Sequence, residues 1–221
     1  MSTINHNKVA LGFLIDRSAS METMDTSRTA HSINRFIKDQ IATEKEIIVY
    51  GATFNSRYEL FADGISAQDV NITEKDIMPD GTTALYDGIG NIISDVEERL
   101  LRMDERPGKV IIIILTDGDE NSSKFTDRAA VNDMIENQKM IHNWEFVFLA
   151  ANQDAIMSGG SVGINRDSSC TYDYSPAGMT NVLRTLSSAV TRTLSGDSEN
   201  IIFTDEDRTI NRPVDNVYMS I

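Results

Sequence analysis

Apolar residues along this chain follow two periods, and the alternation between them predicts the layout of the fold. Val9-Ala10-Leu11-Gly12-Phe13-Leu14-Ile15 is a short apolar run that stops at Asp16. Too short for a lone helix and lacking polar interruption, it predicts a strand covered on both faces. From about Ser27 to Thr43 the residues Ala30, Ile33, Phe36, Ile37 and Ile41 recur at helical spacing and give one face for a core. Glu46–Phe54 and Arg57–Phe61 are β-rich runs separated by the turn-like pair Asn55-Ser56. They predict a hairpin that sets an antiparallel strand at one edge of the sheet. After the turn signal Pro79-Asp80-Gly81, Leu85, Ile89, Ile92, Ile93 and Val96 mark a second amphipathic helix to about Met103, and Arg106-Pro107-Gly108 is expected to end that element.

Val110–Leu115 (VIIIIL) is the strongest strand signal, a continuous β-branched run suited to the middle of a parallel sheet. Residues 127–140 predict a helix, Glu145–Ala150 another buried strand, and Ala155–Ser161 a short helix. A weak strand near Thr171-Tyr172 and a helix from Gly178 to Leu194 complete the set. Strands alternating with helices predict a doubly wound α/β fold: a mostly parallel central sheet, one antiparallel edge strand, and helices on both faces. At 221 residues the chain is within reach of one hydrophobic core. Residues 1–195 are expected to form one domain and 196–221 a C-terminal tail, docked or partly mobile.

Charge narrows the partners. Thirty-four acidic against 20 basic residues leave a formal charge of −14, which opposes long-range attraction to nucleic acid or an anionic membrane and raises the local concentration of divalent cations. The single cysteine, Cys170, permits no intrachain disulfide and no thiolate cluster, and is expected to be a small buried hydrophobe. The first residues lack the pattern of a secretory signal, and no apolar run approaches the ~18–20 residues of a membrane span. A cytoplasmic location is the expectation.

Three polar clusters fall where the carboxyl ends of strands should be: Asp16-Arg17-Ser18-Ala19-Ser20, Gly81-Thr82-Thr83 before a helix, and Thr116-Asp117-Gly118 after the strongest strand. Singly, each has the composition of a helix cap or turn. Together, D-x-S-x-S, then a Thr, then an Asp, in chain order on an alternating α/β pattern, the set resembles the von Willebrand factor A domain and its metal-ion-dependent adhesion site. The phrases LIDRSASM, GTTALYDGIG and VIIIILTDGDEN carry the resemblance from about Lys8 to Ala150, and Asn143–Ile164 is similar to later segments of bacterial and phage members.

The resemblance implies that Ser18 and Ser20 bind a metal through their hydroxyls, that Thr83 binds it directly in the partner-engaged state, and that Asp16 and Asp117 act mainly through waters. Thr83 rather than Thr82 aligns with the ligand position when Thr82 takes the place of the family's second glycine. All-oxygen, hard coordination suits Mg²⁺ or Mn²⁺ and offers nothing that selects zinc or copper. With mostly neutral ligands the ion keeps much of its charge, so a Glu or Asp carboxylate from a protein partner can replace a water. Asp119 and Glu120 have two readings, as orienters of metal-bound water or as exposed loop charges. Arg17 is open to a partner contact or to solvent.

Other patterns fail on context. Gly159-Gly160-Ser161-Val162-Gly163 matches G-x-S-x-G, but a helix rather than a strand precedes it and no histidine follows. Asp117-x-Asp119-x-Asn121 resembles the start of an EF-hand loop, yet the sixth position is Ser122 and the twelfth Arg128. His6, His31 and His142 are dispersed, and the methionines show no helical stripe, so core filling is expected of them. The leading expectation is therefore a non-enzymatic, metal-dependent protein-binding module. Two alternatives stand beside it: a metal-dependent hydrolase, which would need a general base by the ion, and a scaffold in which the ion is only structural.

Overall fold

The computed structural model describes residues 2–117, 120–151 and 155–212. The chain runs through β1 (Thr3–Asp16), α1 (Thr26–Ile41), β2 (Glu46–Phe54), β3 (Tyr58–Ser66), α2 (Leu85–Leu101) and β4 (Glu105–Thr116). It continues through α3 (Arg128–His142), β5 (Glu145–Ala151), α4 (Ala155–Ser161), β6 (Ser169–Tyr172), α5 (Pro176–Leu194) and α6 (Asp205–Asn211). The strands stand in the order β3-β2-β1-β4-β5-β6, and β3 alone runs antiparallel to its neighbour. This is the doubly wound α/β architecture that the alternation predicts.

The central strands are apolar throughout because each face is covered. Along β4, Ile111, Ile113 and Leu115 join a cluster with Ile33, Phe36 and Ile37 of α1 and Val182 and Leu186 of α5. Val110, Ile112 and Ile114 point the other way, toward Ile89, Ile92 and Val96 of α2 and Val131 and Ile135 of α3. Fully burying one such side chain contributes about 1.5–3 kcal/mol, so this double layer dominates the stability. Met21, Met24 and Met179 fill the core as expected, whereas Met78, Met140 and Met157 are exposed.

Two expectations need correction. Arg106-Pro107-Gly108 does not end the preceding helix; it lies inside β4, where Glu105, Arg106 and Pro107 pair with Thr3, Ile4 and Asn5 of a lengthened β1. Pro107 is tolerated there because β5 first pairs with β4 at Ile111, so the extension has a strand on one side only. β3 continues past Phe61 to Ser66, with two register irregularities against β2. After Ser195 the described residues include one further helix, α6. Ile201 and Phe203 are buried in the core, and α6 is closed by a capping box in which Thr204 and Asp207 satisfy each other's backbone N–H groups. Asn211 then donates to Thr185 of α5 at 3.0 Å. Residues 213–221 of the expected tail lie outside the described residues.

Strand order reverses between β1 and β4, since β2 and β3 lie on one side of β1 and β5 and β6 on the other side of β4. In doubly wound sheets the ligand crevice opens at the carboxyl ends of the strands flanking such a reversal. Here those ends are Asp16 and Thr116.

Candidate functional site

β1 ends at Asp16, whose side chain is almost wholly buried and ties two loops together. Its Oδ1 accepts the Ser18 N–H at 2.7 Å, and its Oδ2 accepts the Thr116 hydroxyl at 2.6 Å. The first bond curls the chain immediately after the strand; the second locks β1 to β4. Beyond it, Ala19–Thr23 forms a 3₁₀ turn, anchored in the core by the buried Met21 and by Met24 just after it. Asp25 then caps α1, accepting the Arg28 N–H at 2.9 Å.

The turn brings hydroxyls and a carboxylate together. Ser18 Oγ lies 2.9 Å from Ser20 Oγ, and the Ser20 hydroxyl donates to Asp117 Oδ1 at 2.8 Å. Ser18 is buried while Ser20 is exposed, so the cluster has a sealed side and an open one. Tyr174, at the start of the connection into α5, donates its hydroxyl to the Ser20 carbonyl.

The loop carrying Thr83 reaches the same end through backbone bonds. The Ala19 N–H donates to the Gly81 carbonyl at 3.0 Å, and the Asp80 N–H donates to the Arg17 carbonyl at 2.8 Å. Gly81 holds φ +75°, a conformation that favours glycine. Thr83 is 2% exposed, and its backbone is clasped by Asn121. Among the described residues, Asp16, Ser18, Ser20 and Asp117 are joined by direct hydrogen bonds; the Thr83 side chain comes to their end of the sheet without bonding to them.

Electrostatically the cluster is acidic. Burial pushes the Asp16 carboxyl up to about 6, against the lowering effect of the bonds from Thr116 and Ser18, and the neighbouring Asp117 charge adds to the rise. Asp117 is also raised, first by burial, with hydrogen bonds from Ser20 and Tyr174 opposing. Neither carboxylate is paired with Lys or Arg among the described residues. Arg17, inside the loop, reaches Glu59 of β3 at 3.0 Å.

Glu120 is not an exposed loop charge. Its carboxylate accepts the N–H groups of Tyr86, Ser122 and Ser123 and the Ser123 hydroxyl, at 2.7–3.0 Å. It thereby caps α2, whose own N-cap residue, Ala84, has no side chain able to do so. Asp119 lies outside the described residues.

Sequence reasoning missed Asn121 and Tyr174, and it gave Thr116, though part of one of the three clusters, no role of its own. Thr116 stood next to Asp117 and carried a signal. Asn121 was noticed only within an EF-hand pattern, and Tyr174 has no local signal because its contact spans 154 residues.

Among the described residues no group of three or more His, Cys, Asp or Glu side chains is placed to hold a metal. The cluster at Asp16 has two carboxylates, and its remaining oxygens are hydroxyls. The residues nonetheless fit a hard cation. Adjacent ligands on an octahedral ion at 2.0–2.1 Å stand about 2.9 Å apart, close to the separations among Ser18, Ser20 and Asp117.

No family model and no curated protein matches the sequence. Solved structures do. The PilB minor pilin from Streptococcus sanguinis aligns with TM-score 0.59 at 12% identity, over 86% of this chain and 63% of its own. A von Willebrand factor type A structure from Catenulispora acidiphila aligns with TM-score 0.55 at 13% identity, over 83% of this chain and 43% of its own. The fold is von Willebrand factor A-like. Manganese-loaded TRAP protein from Plasmodium vivax aligns with TM-score 0.51 at 17% identity, over 76% of this chain and 70% of its own. At such identities the likeness is one of fold, and this chain spans less than half the length of the Catenulispora acidiphila structure and of several other structures it matches. No helix among the described residues is long and apolar enough to cross a membrane.

Proposed function

We propose that this von Willebrand factor A-like domain is a non-enzymatic binding module that holds Mg²⁺ or Mn²⁺ at Asp16, Ser18, Ser20, Thr83 and Asp117 and offers it to a Glu or Asp carboxylate of a protein partner. The observation that carries this reading is the cluster of Ser18, Ser20 and Asp117 oxygens at the topological switch point, spaced as neighbouring ligands of a small hard cation. Two carboxylates penalised by burial and, among the described residues, unpaired with any basic side chain add the electrostatic demand for one. A manganese-loaded structure among those with this fold supports the class of ion.

The division of labour follows from the bonds. Asp16 spends both oxygens on Ser18 and Thr116, so its part is to position the loop and supply negative charge. Ser18 and Ser20 supply neutral oxygens, which leaves the ion acidic enough to accept an anionic oxygen on the exposed side of Ser20. When bound, the ion supplies a Lewis-acidic corner for that carboxylate.

Titration calorimetry with Mg²⁺ and with Mn²⁺ tests the proposal. Wild type is expected to bind and a Ser18→Ala, Ser20→Ala double variant, checked for native folding, to lose binding. Equal heats for the two proteins would remove the proposal.

A further inference from the structure

The chain is acidic, yet a groove of about 480 Å³ between α1 and α5 is basic. Arg28, His31 and Arg35 line it from α1 and Arg184 from α5, while Asp39 is the only acidic residue among the described residues of its wall. Spacings of three and seven residues put the α1 side chains on one face, with Arg28 and Arg35 about 10 Å apart along the helix. The floor is closed and partly apolar: Phe36 and Leu183 are buried, and Ser32 Oγ meets Thr180 Oγ1 at 3.1 Å across the helix pair.

The guanidinium groups are only lightly engaged. Arg28 faces Asp25 at 3.8 Å, with both side chains about half exposed. Arg184 donates once, to Asn181 at 3.3 Å, and Arg35 has no ion pair among the described residues. Each guanidinium carries five N–H donors in a planar fork that matches a carboxylate. Asp39 accepts the Ser187 hydroxyl at 3.3 Å.

Net charge repels an acidic partner at long range, but screening limits that field to about 8 Å at physiological ionic strength. On contact, an incoming segment therefore meets the local arginines rather than the whole surface. A long polyanion such as nucleic acid would run beyond the groove and over acidic surface; a short segment would not. The groove also opens beside the candidate ion site. Arg28 stands in the first turn of α1, directly after the serine loop, and Tyr174, which bonds Ser20, leads into α5.

We propose that the α1/α5 groove is a docking surface for a short acidic polypeptide segment of a partner protein, gripped by Arg28, Arg35 and Arg184. This surface works without the ion, so its fate is separable from that of the metal-binding reading.

Fluorescence anisotropy of a short labelled oligoglutamate, with EDTA present, tests it. Wild type is expected to bind at about 50 mM salt and to weaken at about 300 mM. Changing Arg28, Arg35 and Arg184 together to Gln should weaken binding about tenfold or more. A control with the same charge change elsewhere, Lys75→Gln, Arg102→Gln and Arg128→Gln, should stay within about twofold. Equal losses in both triple variants, no binding by wild type, or binding only when Mg²⁺ replaces EDTA would each overturn the proposal. So would wild-type self-association in sedimentation that the groove variant abolishes, because the occupant would then be a second copy of this chain. Calorimetric failure of the ion site would leave these outcomes unchanged.

Discussion

Thr83 and Asn121 hold each other in both directions: the Thr83 N–H donates to the Asn121 side-chain oxygen and the Asn121 N–H donates to the Thr83 carbonyl, each at 3.0 Å. The pair splices the loop before α2 to the loop after β4. Two of the three polar clusters singled out in the sequence are thus fastened by a residue outside all of them.

Asn121→Ala is expected to leave the Thr83 N–H without its acceptor and to cost about 1–2 kcal/mol in stability. If Thr83 serves the ion, Mg²⁺ affinity should also fall about tenfold, as losses of groups that orient metal ligands do. Asn121→Asp, which keeps an acceptor in place, should recover much of both. Calorimetry and denaturant titration check the two effects separately, and unchanged affinity beside lost stability would detach Thr83 from the ion.

Glu120→Ala should destabilise the chain by about 1–2 kcal/mol at neutral pH, the usual range for a lost helix cap. Burial raises the Glu120 carboxyl, but the bonds from Ser123, Tyr86 and Ser122 outweigh it and leave the group below its ordinary 4.5. A carboxyl lowered in the folded state contributes stability above its unfolded value and loses it as pH falls through the folded one. The gap between wild type and variant should therefore be full at pH 7 and close below about 4.5. Asp16 acts with the opposite sign, its folded value being raised, so the difference between the two proteins is the quantity to follow. A gap that persists at low pH would mean that the cap does not depend on charge.

Much of the fold was legible because the core strands must be apolar on both faces, and Val110–Leu115 can be little else. That the loops of Asp16 and Asp117 meet was legible from their place at strand ends, and the resemblance to the von Willebrand factor A domain singled out Asp16, Ser18, Ser20 and Asp117. What escaped has local sequence that contradicts or hides its state. Thr3–Asn5 and Glu105–Pro107 are polar and contain a proline, and they form strands only because they pair with each other. α6 carried a capping signal in Thr204 and Asp207, but its seven residues were too few for a helical period to show. Tyr174 and Asn121 act through contacts with distant segments, which no window along the chain contains.

Gly178→Ala and Gly160→Ala should differ in sign. A Cβ at Gly178 would stand 2.0 Å from the Asp173 carbonyl oxygen, a backbone atom that cannot turn aside, while one at Gly160 meets nothing within 4 Å. The first change must shift the start of α5, costing about 1–3 kcal/mol, and about 2–4 °C in Tm per kcal/mol for a chain of this size. The second replaces a helical glycine in open space and should stabilise by up to about 1 kcal/mol. Thermal unfolding of the two variants decides it, and a neutral Gly178→Ala would mean that the connection from β6 into α5 is looser than its close packing implies.

Cys170 should be inert in the folded chain. It is fully buried in β6, and burial pushes its thiol up to about 11, with the Arg208 charge lowering it and Asp207 raising it by smaller amounts. The thiolate is the reactive form, so both access and ionisation oppose attack near neutral pH. Ellman's reagent at pH 8 is expected to find no thiol in the native protein and one after denaturation, the chain having a single cysteine. Because the core cluster holding Cys170 also contains Ile201 and Phe203, the labelling rate doubles as a probe of how firmly the segment after α5 is docked. A Phe203→Ala variant should label faster under native conditions, and equal rates would show that Cys170 stays sealed when that segment loosens.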